Sequence, residues 1–292
     1  MEPTRLPPLR VPTDETSTLI LRDKSLPLGR KTYLMGVLNV TPDSFSDAGK
    51  YFEPEQALHR LHALIENGAD LIDIGGESTR PGASAVSPDE EIRRVLPVLQ
   101  TWKKEWDAIL SIDTSKSEVA EVALRHGASL VNDVTGLRGE PQMAHVVAHY
   151  GAGLVLMHMK GMPRTMQENP VYGDLIREIL DYFEEGIEIA IRAGIREESI
   201  ILDPGIGFGK AVSHNLEILR NLKEFKKLGR PLLVGTSRKS FIGAVLDLPT
   251  EKRLFGTAAT VAISVLNGAD IVRVHDVAEM KQVARMADAV RY

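Results

Sequence analysis

Apolar and polar residues alternate along this chain between two kinds of pattern. Short runs rich in β-branched residues predict strands at 34–39, 71–74, 109–113, 130–132, 154–158, 200–203, 232–235 and 271–274. Helical patterns between them begin at Glu55, Asp89, Ser117, Pro141, Asn215, Glu251 and Val277. The clearest helix places its apolar residues on one stripe of period 3.6, at Ile176, Ile179, Leu180, Phe183, Ile187, Ala190 and Ile191. The pattern predicts an α/β protein.

A short repeat supports the same alternation. Gly-Ala precedes a predicted strand in NGADLIDI (67–74), HGASLVND (126–133), YGAGLVLM (150–157) and NGADIVRV (267–274). Glycine suits the left-handed position that ends a helix, and alanine lets that end lie close to a sheet. Eight recurring units without a break in composition predict a single (β/α)₈ TIM barrel. A doubly wound open sheet stays as the alternative, because the rhythm of the sequence does not show closure.

The N-terminal region is predicted to lie outside this rhythm. Residues 1–16, with four prolines, are expected to form a flexible tail, and residues 17–292 one barrel domain. The segment 18–33 predicts a short hairpin that turns around Leu26, Pro27, Leu28 and Gly29.

Composition limits the classes of function. The chain has 292 residues, of which 43% are hydrophobic and 26% charged, and its net charge is −5, which suits a globular protein with a sizeable core. Without a basic run, a nucleic-acid surface is not expected. No apolar run approaches the ~20 residues that span a membrane, and the N-terminus lacks the apolar stretch of a secretory signal. The chain has no cysteine, so we expect a cytoplasmic protein without disulfides.

Polar residues follow every predicted strand. They are Asn39, Asp73, Glu77, Asp113, Asn132, Asp133, His158, Asp203, Ser237, Arg238, Lys239, Arg273 and His275. An Asp or Asn in such a place often caps a helix or closes a turn, and for Asp73, Asp133 and His158 this structural role is as good an explanation as a functional one. Because active sites of this fold lie at the carboxyl ends of the strands, the full set predicts a site there.

Three other features are explained without special chemistry. DPGIGFGK (203–210) matches neither the Walker nor the Rossmann phosphate-binding pattern, so its glycines are expected to permit a close turn against a flat ligand. His145 and His149 are one helical turn apart but lack the Glu of a zinc-protease motif, which predicts a solvated helix face. Trp102 and Trp106 are expected to serve packing.

Taken together, the motifs resemble those of the dihydropteroate synthase family. They are LNVTPDSFSD (38–47), DIGGESTRPG (73–82), SIDTSK (111–116), ND (132–133), MHMKGMPRTMQ (157–167), DPGIGFGK (203–210), VGTSRKS (234–240) and RVHD (273–276). The resemblance spans residues 33 to 290 and follows the order of the family. It implies a TIM barrel, usually a homodimer, that joins 6-hydroxymethyl-7,8-dihydropterin diphosphate to 4-aminobenzoate and releases pyrophosphate in folate biosynthesis.

The resemblance also implies roles for individual residues. The pterin would contact Asp113, Asn132, Met157, Asp203, Phe208, Gly235 and Lys239. The diphosphate would contact Asn39, Arg273 and His275, with Asn39 also a ligand of a Mg²⁺ that stays largely hydrated. The aminobenzoate and the two lids over it would involve Phe45, Asp47, Thr79, Arg80, Pro81 and Ser240. Of these residues, Asp113, Asp203, Lys239, Arg273 and His275 are expected to carry the catalysis.

Two rival functions share part of this pattern. A pterin-binding methyltransferase domain would keep the Asp/Asn cradle without needing PDSFSD or STRPG, and both are present here. A non-catalytic pterin-binding homologue would be expected to lose Phe45, Arg273 or His275, and the chain has all three. These motifs favour the synthase.

Overall fold

A computed structural model describes residues 17–41, 54–78, 86–103, 105–161 and 165–292. Within these ranges the strands are β1 Thr18–Leu21, β2 Lys24–Pro27, β3 Tyr33–Asn39, β4 Leu71–Gly75, β5 Ile109–Asp113, β6 Leu130–Asp133, β7 Gly153–Met157, β8 Ile200–Asp203, β9 Leu233–Val234 and β10 Ile271–Val274. The helices are α1 Pro54–Glu66, α2 Pro88–Thr101, α3 Ser117–Arg125, α4 Gln142–Tyr150, α5 Leu175–Arg192, α6 Val212–Arg220, α7 Leu222–Phe225, α8 Ser240–Leu246, α9 Leu254–Leu266 and α10 Val277–Arg291.

The eight strands β3 to β10 form one parallel sheet in the order β8-β7-β6-β5-β4-β3-β10-β9. A parallel bridge between Leu202 of β8 and Leu232, the residue before β9, joins the two ends of this order. The sheet therefore closes on itself with helices outside. The predicted (β/α)₈ barrel is confirmed, and the open-sheet alternative is wrong.

The two faces of the strands carry different residues, because successive side chains point to opposite sides of a sheet. One set, including Ile72, Leu110 and Val272, packs against apolar residues of the helices. The other set packs inside the barrel, away from the helices, and consists of Met35, Leu71, Ile109, Leu130, Val155, Ile201, Leu233 and Ile271. Two residues further along each of the last seven strands, on the same face, stand Asp73, Ser111, Asn132, Met157, Asp203, Gly235 and Arg273. The barrel interior thus changes from apolar to mostly polar towards its carboxyl end.

The N-terminal hairpin closes the other end of the barrel. Leu19 and Leu21 of β1, with Leu28, pack against the apolar interior residues. The hairpin was predicted, but its turn was placed wrongly. The strands pair with Leu21 opposite Lys24, so the turn is Arg22-Asp23, with Arg22 at φ +56°. Leu26 and Pro27 belong to β2. This strand has a neighbour on one side only, and a proline is tolerated in such an edge strand.

The four Gly-Ala junctions have the predicted conformation. Gly68, Gly127, Gly151 and Gly268 all have φ between +61° and +105°, and the alanine after each is buried. Helix starts agree closely with the sequence patterns except at two places. The helix predicted from Asn215 begins at Val212, and the one predicted from Glu251 begins at Leu254, since Thr250–Lys252 forms a 3₁₀ turn.

Features set aside in the sequence have structural roles. The rings of Trp102 and Trp106 pack edge to face with centroids 5.1 Å apart, and both contact the core. His145 and His149 are exposed on α4, as predicted. No helix in the described part of the chain is long and apolar enough to cross a membrane. The division at residue 17 stays a prediction, and the predicted tail lies outside the described residues.

Candidate active site at the carboxyl end of the barrel

The polar interior layer is held together by one arginine. Arg273 extends from β10 across the barrel, where its Nε donates to Asp73 Oδ2 at 2.7 Å and its Nη2 to Asp113 Oδ2 at 2.6 Å. These aspartates belong to β4 and β5, so a single guanidinium connects the polar ends of three strands. Arg273 was predicted to bind the diphosphate, and in the structure two of its nitrogens are bound to carboxylates. The diphosphate contact stays a prediction.

Asp73 is a member of this site that the sequence analysis did not assign. Its carboxylate is fully buried and accepts hydrogen bonds from Ser111 Oγ at 2.6 Å and Asn132 Nδ2 at 2.9 Å, as well as from Arg273. Its position two residues after the inward-facing Leu71 was the available signal. The spacing alone would have placed Asp73 in the same layer as Asn132 and Asp203.

Two buried acceptors in this layer have no partner among the described residues. They are Asp113 Oδ1 and Asn132 Oδ1. Leaving a buried acceptor unpaired costs about 1–3 kcal/mol, so such atoms call for an explanation. Both belong to residues predicted to bind the ligand, and a ligand with N–H donors would satisfy them.

Burial and the neighbouring charges shift the pKa values of the ionisable groups in this layer. Burial opposes the charge of Arg273, but Asp73 and Asp113 outweigh it and raise the pKa of the guanidinium. Burial raises the pKa of Asp113 to about 7, because Arg273 offsets only part of the desolvation and Asp73 lies nearby. One guanidinium therefore does not compensate fully for both carboxylates.

Asp203 and Lys239 form the opposite side of the mouth. Asp203 Oδ1 accepts from the backbone N–H of Gly205 at 2.8 Å. Burial raises the pKa of Asp203 against the attraction of Lys239. Burial also lowers the pKa of Lys239 to about 8, against the attraction of Asp203. Lys239 Nζ donates to the carbonyl of Ile206 and lies 4.6 Å from the centroid of the Phe208 ring.

The turn after β8, residues 204–211, is fixed by side chains that bind its carbonyl groups. The donors are Lys239 to Ile206, Gln167 to Gly207, Lys210 to Phe208 at 3.0 Å, and Tyr172 to Gly209 at 2.8 Å. Gly205, at φ +65°, lies so close to the His158 carbonyl that a Cβ would be 1.9 Å from the oxygen. The glycines of DPGIGFGK permit a close turn, as predicted, and the close approach seen here is to the His158 backbone. The flat ligand stays a prediction.

Lys210 and His158 form a buried pair beneath this turn. Lys210 Nζ is 2.8 Å from His158 Nδ1. Burial, together with the charge of Lys210, lowers the pKa of His158 to about 2, and burial lowers the pKa of Lys210. His158 Nδ1 therefore acts as an acceptor for the lysine. Of the two explanations for His158, the structural one agrees with these contacts.

The remaining predicted residues lie at the rim or outside the described residues. His275 follows β10, with its Nδ1 2.9 Å from Ser237 Oγ. Asn39 ends β3 and lies across Gly75 from Asp113, since a Cβ on Gly75 would be 3.6 Å from Asp113 Cβ and 3.8 Å from Asn39 Oδ1. Met157 and Gly235 are buried at the ends of their strands, and Ser240 is exposed at the start of α8. Phe45, Asp47, Thr79, Arg80 and Pro81 lie outside the described residues.

The described residues contain no group of three or more His, Asp or Glu side chains arranged to hold a metal ion. Of the predicted diphosphate residues, Asn39 offers an amide oxygen, a ligand type suited to a hydrated Mg²⁺. These residues therefore fit a Mg²⁺ that would take most of its ligands from phosphate oxygens and water, and few from the protein.

Comparison with known proteins agrees with the geometry. A family model described as pterin binding enzyme matches residues 35–275. A dihydropteroate synthase from Synechocystis sp. is 50% identical over 263 residues, which cover 90% of this chain and 91% of the relative. A dihydropteroate synthase structure from Clostridium difficile, determined in the presence of pteroic acid, is 49% identical with a TM-score of 0.84, and the match covers 90% of this chain and 98% of that one. The Xanthomonas albilineans enzyme with 4-aminobenzoic acid is 40% identical with a TM-score of 0.87, covering 95% and 99%.

The barrel, its polar mouth and the family match define a pterin-binding (β/α)₈-barrel enzyme. Within that class the chain belongs to the dihydropteroate synthase family, whose members are transferases. The family resemblance in the sequence is confirmed.

Proposed function

We propose that the chain joins (7,8-dihydropterin-6-yl)methyl diphosphate to 4-aminobenzoate, giving 7,8-dihydropteroate and pyrophosphate in folate biosynthesis. Its similarity to dihydropteroate synthases over most of its length supports this activity. The observation that carries the assignment to this site is the pair of acceptors, Asp113 Oδ1 and Asn132 Oδ1, that are buried in the mouth of the barrel without a partner among the described residues.

The acceptors of the mouth match the donors of a dihydropterin. The ring offers an N3–H, two hydrogens on its 2-amino group, and an N8–H. A carboxylate accepts two neighbouring N–H groups in one plane, so Asp203 is proposed to take the N3–H and one amino hydrogen. Asn132 Oδ1 and Asp113 Oδ1 are then left for the other amino hydrogen and the N8–H. Each unpartnered atom would gain a donor.

The rest of the ring would be held by Lys239, Met157, Phe208 and Gly235. The Lys239 ammonium would donate to the ring carbonyl in place of the Ile206 carbonyl that it now contacts. Gly235 would leave space for the flat ring, since the nearest side-chain atom to a Cβ there would be Arg273 Cβ at 3.6 Å. The buried Met157 would contact the ring through its polarizable thioether.

The diphosphate is proposed to lie at the rim formed by the ends of β3 and β10. Asn39, His275 and the outer part of Arg273 would bind it. A Mg²⁺ held by the phosphates and Asn39 would neutralise charge on the leaving group when bound. In this fold, phosphate sites commonly lie near the seventh and eighth barrel strands, here β9 and β10.

The proposed chemical step is a dissociative substitution. The bond between the methylene carbon and the diphosphate oxygen breaks first, and its electron pair leaves with pyrophosphate. The resulting cation is conjugated with the pterin ring, and the carboxylates of Asp113 and Asp203 stabilise it by their charge. The amine nitrogen of 4-aminobenzoate then forms the new bond to the methylene carbon and releases its proton to water. Because an arylammonium is strongly acidic, no strong general base is needed.

The second substrate is proposed to bind at the rim. The roles of Phe45, Asp47, Thr79, Arg80 and Pro81 in lids over the aminobenzoate, and of Ser240 in binding its carboxylate, stay predictions from the resemblance. A homodimer and a cytoplasmic location belong to this proposal too, as does the absence of nucleic-acid and membrane partners.

The activity is tested by measuring pyrophosphate release with Mg²⁺, the pterin diphosphate and 4-aminobenzoate, omitting one component at a time. Release should need both organic substrates, with dihydropteroate formed in equal amount. Tight pterin binding without release would favour the non-catalytic homologue. Binding of a methylated tetrahydrofolate in place of the pterin diphosphate would favour the methyltransferase.

A further inference from the structure

Asp73 uses its carboxylate for contacts within the protein, and two of its partners, Asn132 and Arg273, are proposed to bind the substrate. Its side chain is fully buried. It accepts from Asn132 Nδ2 at 2.9 Å and from Arg273 Nε at 2.7 Å through Oδ2, and from Ser111 Oγ at 2.6 Å through Oδ1. Every contact uses Asp73 as an acceptor.

The contact with Asn132 decides which end of that amide faces the mouth. An asparagine amide has a donor end and an acceptor end of nearly the same shape, so packing alone hardly distinguishes them. Asp73 engages the NH₂ end, which leaves Asn132 Oδ1 buried and without a partner among the described residues. Asn215, another buried asparagine, has both ends engaged, with Oδ1 bound by the Gly207 N–H and Nδ2 bound to the Ala211 carbonyl. Asn132 is therefore oriented with its acceptor unused.

We propose that Asp73 is a positioning residue that sets the specificity of the site for a 2-amino group over a 2-oxo group on the ligand ring. The inference rests on the proposed pterin site. By holding the donor end of Asn132, Asp73 presents an oxygen to the ligand. An oxygen accepts a hydrogen bond from a 2-amino group, whereas it repels a 2-oxo group at the same place.

The physical basis is the cost of the wrong pairing. A site that leaves a buried polar group unpaired rejects an analogue strongly, since the desolvation penalty of that group is not recovered. If the Asn132 amide were free to rotate by half a turn, its NH₂ end would accommodate a 2-oxo ring. Asn132 can therefore discriminate between a 2-amino and a 2-oxo ring only if its amide cannot rotate, and the Asp73 carboxylate prevents this rotation.

The test measures affinities of two ligands, 6-hydroxymethylpterin and its 2-oxo counterpart, by calorimetric titration. In Asp73→Ala, water replaces the carboxylate and donates as well as accepts, so the Asn132 amide loses its fixed orientation. The preference for the 2-amino ligand should narrow about tenfold, which corresponds to the loss of one oriented hydrogen bond. The part of the preference that Asp203 provides should stay.

Two matched variants separate orientation from general damage. Asp73→Asn can place its oxygen towards Asn132 and its NH₂ towards Ser111, whose hydroxyl also accepts, so it should retain most of the preference. Ser111→Ala removes a hydrogen bond to the same carboxylate without touching Asn132, and its preference should equal that of the wild type. An unchanged preference in Asp73→Ala, or an equal loss in all three variants, would overturn the proposal.

A measurement on the unaltered protein covers the case in which Asp73→Ala does not fold. The side-chain amide protons of Asn132, assigned in an NMR spectrum by their loss in Asn132→Asp, should be protected from solvent exchange before any ligand is added. Rapid exchange in the free protein would contradict the contact with Asp73. Failure of the wild type to bind either ring would instead overturn the proposed pterin site, and the exchange experiment would still test the orientation of Asn132.

Discussion

Single residues in the barrel mouth are coupled through shared charge. Arg273 is the only base within salt-bridge distance of Asp73 and Asp113 among the described residues, and it contacts both. Removing one partner of a buried ion pair typically costs about 3–5 kcal/mol, because it leaves an uncompensated charge. Arg273→Ala would therefore disturb Asp113, which is proposed to contact the pterin, and Asp73 behind it, as well as any diphosphate contact. His275 is the better residue for isolating the leaving group.

At the same scale, the titration of Asp113 predicts a pH dependence of pterin binding. Its pKa of about 7 means that it holds a proton below neutrality, when its unpartnered oxygen is a poorer acceptor. Affinity for 6-hydroxymethyl-7,8-dihydropterin should rise with pH, by at most about tenfold per pH unit, up to about pH 7, and should fall again above about 8 as Lys239 loses its charge. Calorimetric titrations from pH 5.5 to 9 would show a maximum.

The control for this pH dependence is Asp113→Asn, which cannot titrate and should lose the acid side of the profile. The stability of the ligand-free protein gives an independent check with a defined sign. Because folding raises the pKa of Asp113, the folded state binds more protons between the ordinary carboxyl range and about pH 7. The contribution of Asp113 to the free energy of unfolding should therefore decrease as the pH rises through that window. A flat binding profile would mean that Asp113 does not accept from the ligand.

At the scale of strands and turns, the sequence predicts much of the arrangement, and the misses have identifiable causes. The strand ends were predicted because polar residues interrupt apolar runs at regular places, and the junction glycines because only a few residues adopt positive φ readily. The sequence does not decide the role of Asp73, because an Asp that caps a helix and an Asp that joins a buried hydrogen-bond network follow a strand in the same way. Lys210 was missed because its partner, His158, is 52 positions away. The hairpin turn was misplaced because Pro27 and Gly29 suggested it more strongly than Arg22-Asp23.

The turn after β8 offers a prediction at this scale. Gly205→Ala introduces a Cβ 1.9 Å from the His158 carbonyl oxygen, and it also strains the backbone at φ +65°. Gly151→Ala is the matched control, because its φ is +61° but nothing lies within 4 Å of its Cβ. The backbone strain should cost both variants about 1–2 kcal/mol of unfolding free energy, and the clash should cost Gly205→Ala about 1–3 kcal/mol more.

The same two variants, Gly205→Ala and Gly151→Ala, distinguish an effect on protein stability from an effect on pterin affinity. Gly205 N–H donates to Asp203 Oδ1, so displacement of the turn should weaken pterin affinity in Gly205→Ala and leave it unchanged in Gly151→Ala. Denaturant melts and pterin titrations on both proteins measure the two effects. Equal stability of the two variants would show that the turn moves away from His158 at no cost.

At the scale of the whole molecule, the barrel has a hairpin at one end and the polar mouth at the other, and several of the outer helices have exposed apolar residues. On α9 the exposed residues Phe255, Ala259, Ile263 and Leu266 follow the spacing of one helix face. Met286 and Val290 of the neighbouring α10 are exposed as well. Exposed apolar surfaces often mark sites of association, and the proposed homodimer would bury this one.

The dimer predicts a specific effect of charge on this face. Phe255 is 85% exposed, and Phe255→Glu should convert the protein to a monomer in sedimentation velocity experiments without loss of helical content. Val171→Glu, at a residue that is 65% exposed elsewhere in the molecule, is the control and should leave the dimer intact. A wild-type protein that is monomeric at all concentrations would contradict the proposal.

Asp203→Asn tests whether the polar layer in the barrel mouth binds the pterin ring. The substitution is close to isosteric, but it replaces a charged acceptor by an amide that directs a donor at the donors of the pterin. In calorimetric titrations with 6-hydroxymethyl-7,8-dihydropterin, which lacks the diphosphate, affinity should fall by roughly 2–4 kcal/mol, or about 30- to 1,000-fold. An affinity equal to that of the wild type, in a variant with an unchanged melting temperature, would place the ring elsewhere and contradict the account.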